Sequence, residues 1–183
     1  MVEASSPLAI AVFGGSEPTE DSPLYQQALQ VGGLLAREGF TVVTGGYGGV
    51  MEAASRGAKE AGGSVVGITA RALSPLRAGP NPYLTIHLEE EGLFERTREL
   101  IARSSGYIIL RGSSGTLAEL TFLWALHRAR LQRDRPIVLL GAFWQRFVDT
   151  VVALGLVDSG QLTGTHVVNS PEDAVRVIRR ALQ

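Results

Sequence analysis

Short apolar runs alternate with longer stretches of helical periodicity along the whole chain. Leu8-Ala9-Ile10-Ala11-Val12-Phe13 and Pro136-Ile137-Val138-Leu139-Leu140 contain no polar side chain. A strand reads that way when helices cover both faces of its sheet. The pattern predicts strands at about residues 8–13, 40–44, 64–68, 84–88, 106–110, 136–140 and 166–168. Helical spacing predicts helices at about 22–38, 50–61, 91–104, 115–131, 143–154 and 171–182. Ser170-Pro171-Glu172-Asp173 is a strong helix start, with a capping serine, proline at the first position and acids in the first turn. This alternation predicts a single α/β domain with a doubly wound, mostly parallel sheet and helices on both faces, after a tail of about residues 1–7. Ser16 to Asp21 and the proline-rich Arg71 to Pro82 read as loops, the second as either a lid or a plain connection.

Composition narrows the chemistry. The 183 residues suffice for a sizeable core, and 45% hydrophobic with 19% charged is ordinary for a globular domain. A net charge of −1 offers no bulk attraction to nucleic acid or to an anionic membrane, so any anion must be held by local geometry. With no cysteine, disulfides, thiol catalysis and thiolate metal sites are excluded. His87, His127 and His166 are far apart and lack metal-ligand spacing, so no metal is expected. No apolar run is long enough for a membrane span, and no basic segment precedes the first apolar run. A cytoplasmic location is therefore the expectation. Lys59 is the only lysine and falls mid-helix, which disfavours a Schiff-base mechanism.

Three predicted strand ends carry small residues: Gly14-Gly15-Ser16, Gly45-Gly46-Tyr47-Gly48-Gly49-Val50-Met51, and Gly112-Ser113-Ser114-Gly115-Thr116. In open α/β sheets ligands bind at the carboxyl ends of strands, and small residues there let backbone come close to them. The third turn opens a helix, whose free N–H groups and dipole favour phosphate. Glu119 lies three residues beyond Thr116, on the same helix face. A carboxylate beside a phosphate seat suggests a phosphorylated ligand with chemistry close to its phosphate. None of the turns has the lysine of a Walker loop, and none is a clean dinucleotide fingerprint. The site therefore reads as one for a mononucleotide or sugar phosphate. Glu52 reads either as a second ligand-facing acid or as part of a helix cap.

Together these segments resemble the LOG ("lonely guy") family, often mislabelled as lysine decarboxylases. The hallmark P-G-G-x-G-T-x-x-E is matched by Arg111-Gly112-Ser113-Ser114-Gly115-Thr116-Leu117-Ala118-Glu119. The upstream G-G-x-x-G-x-M segment is matched by Gly45-Gly46-Tyr47-Gly48-Gly49-Val50-Met51, and an E-R pair by Glu95-Arg96. The resemblance implies a Rossmann-like fold, a homodimer and no cofactor. It implies hydrolysis of the N-glycosidic bond of a nucleoside 5′-monophosphate, of the AMP or N6-modified AMP class, to base and ribose 5-phosphate. Carried onto this chain, it makes Arg96 and Glu119 the catalytic pair. Gly14, Ser16, Gly45, Gly46, Gly48, Met51, Gly112, Ser113, Ser114, Gly115 and Thr116 are then the nucleotide-binding residues. The chain departs from the hallmark at Arg111 and Ser113, and has Thr97 where a lysine commonly follows the E-R pair. Arg111 either adds a cation beside the phosphate or blocks the turn. A non-catalytic carrier of a nucleotide or of the molybdenum cofactor, on the same fold, is the alternative.

Assembly is a further expectation. Leu93, Phe94, Leu100 and Ile101, with Leu120, Phe122, Leu123, Trp124 and Leu126, give two helices more apolar surface than one sheet face obviously covers. A self-complementary dimer contact would account for it, as would burial within one chain.

Overall fold

A computed structural model of the chain describes residues 7–76, 78–132 and 134–183. The tail expected at residues 1–7 lies outside the described residues except for Pro7. Among the described residues seven strands, β1 (Ala9–Phe13), β2 (Thr41–Thr44), β3 (Val65–Ala70), β4 (Ile86–Glu90), β5 (Gly106–Ile109), β6 (Ile137–Leu140) and β7 (Thr165–Val168), form one sheet. Six α-helices among the described residues connect or follow them: α1 (Pro23–Arg37), α2 (Val50–Glu60), α3 (Leu93–Ala102), α4 (Ser114–Arg128), α5 (Phe143–Ala153) and α6 (Pro171–Leu182). The strand order is β4-β3-β2-β1-β5-β6-β7, and every pairing is parallel. The order reverses between β1 and β5, where Ile10 to Phe13 pair with Gly106 to Ile109.

The alternation of side chains along each strand divides the core in two. Ile10, Val12, Val42, Ile108, Leu110 and Val138 meet α1, α2 and α6 on one face. Ala11, Phe13, Val43, Tyr107, Ile109 and Leu139 meet Leu100, Leu120, Leu123, Trp124 and Trp144 of α3, α4 and α5 on the other. Both faces are covered, which is why the central strands contain so few polar residues. At about 25 cal/mol per Å² of apolar area, this double burial is the main force holding the sheet.

Two local differences from the sequence reading are informative. β4 lies two residues later than expected and is an edge strand with Ile86 and His87 exposed, so its pattern carries little signal about burial. β3 runs on to Ala70 and passes into a 3₁₀ helix, Arg71–Leu76, inside the segment expected to be a loop. Arg71 pairs there with Glu89 and Glu91. Among the described residues no helix is long and apolar enough to cross a membrane.

Candidate functional site

The carboxyl ends of β1, β2 and β5 open into one crevice at the strand-order reversal, where open parallel sheets place their ligands. Its walls include Gly14, Gly15, Ser16, Gly45, Tyr47, Met51, Leu73, Arg96, Ser113, Gly115, Thr116 and Glu119. The three glycine-bearing turns are therefore brought together. Of the residues expected to bind nucleotide, Gly46, Gly48, Gly112 and Ser114 do not line it; Gly46 is buried, and Gly112 and Ser114 are exposed beside it. Gly46 donates its N–H to the Thr44 hydroxyl and accepts from the Asn81 N–H, which ties the β2 turn to the segment before β4. Gly112 has to be glycine because of packing: a Cβ there would collide with the Thr116 side chain and the Gly15 backbone nitrogen. That contact lets the β1 and β5 turns lie against each other, and the Gly15 N–H donates to the Arg111 carbonyl at 3.0 Å.

The start of α4 forms one wall. Ser113 is its N-cap in extended conformation, but the serine side chain makes no capping bond. The first-turn N–H groups thus lack the side-chain acceptor that helix starts commonly supply. Thr116, one turn in, is almost fully buried.

Arg96 and Glu119 face each other at the floor. The Arg96 side chain is 9% exposed and that of Glu119 13%, with Arg96 Nη1 3.8 Å from Glu119 Oε1. Arg96 is anchored by backbone: Nε donates to the Ile68 carbonyl at 2.7 Å and Nη2 to the Gly45 carbonyl at 3.1 Å. Its guanidinium lies 5.6 Å from the centroid of the Tyr47 ring. A side chain on Gly45 would collide with the Arg96 guanidinium and the Met51 sulfur, so this glycine makes room for the cation. Burial pushes the Glu119 carboxyl up to about 7, and the neighbouring Arg96 charge opposes that rise. A carboxyl poised near neutrality at a crevice floor, beside a fixed cation, is suited to proton transfer and to stabilising developing positive charge.

Other acids and bases fall elsewhere. Glu52 accepts from the Tyr25 hydroxyl at 3.1 Å and does not line the crevice. Lys59 is exposed on α2. His127 is buried with both ring nitrogens against backbone carbonyls, those of Thr163 and Arg135. The Arg111 guanidinium does not block the turn; it lies 5.7 Å from the Phe143 ring centroid, on the α5 side. Five crevice residues, Val12, Phe13, Gly15, Tyr47 and Leu73, were not among those expected to form the site. Tyr47 sits inside the second glycine turn, a position that marked it, and its hydroxyl is clamped between the N–H and carbonyl of Ala70. Leu73 belongs to the 3₁₀ helix, and nothing in its local sequence signals that it reaches the crevice.

The fold and the crevice define a Rossmann-like α/β protein with its ligand end at the β1/β5 reversal. Within that class the chain belongs to the SLOG cluster4 family, whose profile matches residues 7–174. This agrees with the LOG-type resemblance carried by the glycine turns, Arg96 and Glu119. A protein of Mycobacterium tuberculosis named cytokinin riboside 5′-monophosphate phosphoribohydrolase is 29% identical over 182 residues, covering 96% of this chain and 95% of the relative. An uncharacterized protein of Archaeoglobus fulgidus is 31% identical over 134 residues, covering 73% and 85% respectively. Among solved structures, the molybdenum cofactor binding protein of Rippkaea orientalis is similar, with a TM-score of 0.77, 25% identity and coverage of 98% of this chain and 100% of that one.

Proposed function

We propose that the protein hydrolyses the N-glycosidic bond of a nucleoside 5′-monophosphate, of the AMP or N6-modified AMP class. The observation that carries this reading is the buried Arg96–Glu119 pair set one helical turn behind an α4 start whose cap residue leaves its N–H groups without a side-chain acceptor. In this reading the phosphate rests on the Ser113–Thr116 turn, favoured by backbone N–H groups and the helix dipole. Gly14, Ser16 and Gly45 give it backbone walls, and Tyr47 and Met51 border the nucleoside. Water attacks C1′ as the bond to the base breaks. The bonding electrons leave with the base, which takes up a proton, so one AMP and one water give adenine and ribose 5-phosphate. Positive charge builds on the ribose as the bond opens. The Glu119 carboxylate stabilises that charge and accepts the proton of the attacking water. Arg96 holds Glu119 in place and favours its ionised form.

The protein is also proposed to act as a homodimer through α3 and α4, where Phe94 is 89%, Leu93 50% and Phe122 48% exposed. Apolar groups exposed together to this degree are characteristic of contact surfaces. Sedimentation of the wild type at twice the chain mass, and of Phe94→Asp at the chain mass, is the expected result. A monomeric wild type would rule this assembly out.

Incubation with AMP tests the reaction. Adenine and ribose 5-phosphate are expected in equal amounts by chromatography, and at least about a hundredfold less of each from Glu119→Gln. The similarity to a molybdenum cofactor binding protein supports a second reading, a carrier that holds its ligand unchanged. AMP bound without release of base, equally by wild type and Glu119→Gln, would favour the carrier.

A further inference from the structure

The polar groups of the crevice serve one half of a nucleotide. The first bond of the α4 ladder runs from the Leu117 N–H to the Ser113 carbonyl at 3.1 Å, so the N–H groups of Ser114, Gly115 and Thr116 come before it. Thr116 is 4% exposed, and its hydroxyl has no hydrogen-bond partner among the described residues. A buried hydroxyl without a partner is costly, and a ligand oxygen would satisfy it. The Glu119 carboxyl also accepts no hydrogen bond among the described residues; Arg96, at 3.8 Å, is its charged neighbour. The segments after β2 and β3 differ. They supply Tyr47, Met51 and Leu73, and none of the described lining side chains is Asn, Asp, Gln or His. The Tyr47 hydroxyl is taken by the Ala70 backbone, and Leu73 is partly exposed. These residues offer a base apolar contact and no open hydrogen-bonding side chain. Volume draws the same division. The crevice holds about 80 Å³, room for roughly five to eight waters. Pockets that enclose a whole small ligand begin at about 300 Å³. A sugar with its phosphate takes up the enclosed part, and the base is left at the mouth.

We propose that the enclosed crevice is a ribose 5-phosphate site complete in itself, so that the base sits at its mouth and leaves first, and the sugar phosphate leaves last. The proposal rests on the nucleotide reading of the crevice and adds the order of release to it. Hydrogen bonds to a charged phosphate are about twice as strong as those between neutral groups. A base at the mouth, by contrast, gives up little apolar area to the protein. Once the glycosidic bond has broken, the base has no covalent tie to the groups that hold the sugar phosphate. Free ribose 5-phosphate therefore occupies the crevice unaided and competes with the nucleotide for it.

Calorimetric titration of the full chain with ribose 5-phosphate, ribose and adenine, followed by AMP hydrolysis with each product added, tests the proposal. Ribose 5-phosphate is expected to bind about tenfold or more tightly than either ribose or adenine, the effect of one charge-assisted contact. It raises KM for AMP and leaves kcat unchanged, whereas adenine lowers kcat. Thr116→Val weakens ribose 5-phosphate by about tenfold and leaves adenine unchanged. Leu73→Ala does the reverse, weakening adenine alone. Adenine that raises KM with kcat unchanged, or that binds as tightly as ribose 5-phosphate, overturns the order of release and leaves the hydrolysis in place. Ribose 5-phosphate that binds no better than ribose overturns the site itself. If ribose 5-phosphate binds tightly but AMP yields no adenine, the hydrolytic reading falls and takes the order of release with it, while the sugar-phosphate site stands.

Discussion

The starts of α1 and α6 differ from those of α2 and α4 in a way that separates folding from ligand chemistry. α1 begins with Ser22, whose side chain accepts from the Tyr25 N–H, and α6 with Ser170, which accepts from the Asp173 N–H. Each has proline in its first turn. These helices satisfy their own leading N–H groups. α2 starts at Gly49, with φ 68°, and α4 at Ser113, and neither cap residue supplies a side-chain acceptor. A missing cap is not sufficient on its own, since α3 and α5 also lack one. The uncapped starts of α2, α3 and α4 contribute Met51, Arg96 and the Ser113–Thr116 turn to the crevice, and at α2 the leading Val50 N–H donates to the Gly15 carbonyl at 2.9 Å, which leaves α4 as the open start. Breaches of a local rule that gather at one place mark a site, because stability is given up there for an outside partner.

The largest expected effect falls on Glu119. Glu119→Gln should lower base release from AMP by about 10²–10⁴-fold, the usual range for a positioned proton-transfer group. In the wild type the rate should rise with pH up to about 7, as the carboxyl ionises. A rate that falls across that interval would assign Glu119 the opposite role, that of proton donor.

Stability should respond to the same group in the opposite sense. The folded Glu119 holds its proton up to about pH 7, whereas its ordinary value is 4.5. Between those values the folded chain binds more protons than the unfolded one, so stability falls as pH rises. Relative to Glu119→Gln, the wild type should lose about 3 kcal/mol at most from below pH 4.5 to above pH 7. Urea unfolding of both proteins at pH 4 and pH 8 measures the change, and a constant difference would contradict it.

The smallest effects address the caps directly. Ser170→Ala should cost about 1 kcal/mol in urea unfolding, and Ser113→Ala less than about 0.5 kcal/mol. If the two cost the same, the contrast between self-satisfied and open helix starts is lost.

The buried strands β1 and β6 and the helix α6 were legible in the sequence because local pattern and tertiary environment agree there. β4 was displaced because a strand at the sheet edge with exposed side chains has little periodicity to read. The 3₁₀ turn at Arg71–Leu76 was not legible, since its start is held by contacts remote in sequence: Arg71 pairs with Glu89 and Glu91, and the Ala72 N–H donates to the Glu91 carbonyl. For the candidate site, spacing placed Glu119 on the same face of α4 as Thr116, and the family resemblance supplied Arg96; both line the crevice. The residues did not disclose that Arg96 is fastened to the backbone of β3 and of the turn after β2, or that Leu73 reaches the crevice. Both depend on contacts between segments far apart in the chain.

Arg96 binds the Ile68 and Gly45 carbonyls, 28 and 51 positions back along the chain, and faces Glu119 across the next helix. The acid therefore gains its counter-ion only after three separate stretches of polypeptide have come into register. Contacts this remote in sequence are costly to close and tend to form late in folding. On the proposed reaction, activity would report completed assembly: a collapsed chain with every helix formed but α3 undocked would carry the carboxyl without its counter-ion and remain inert.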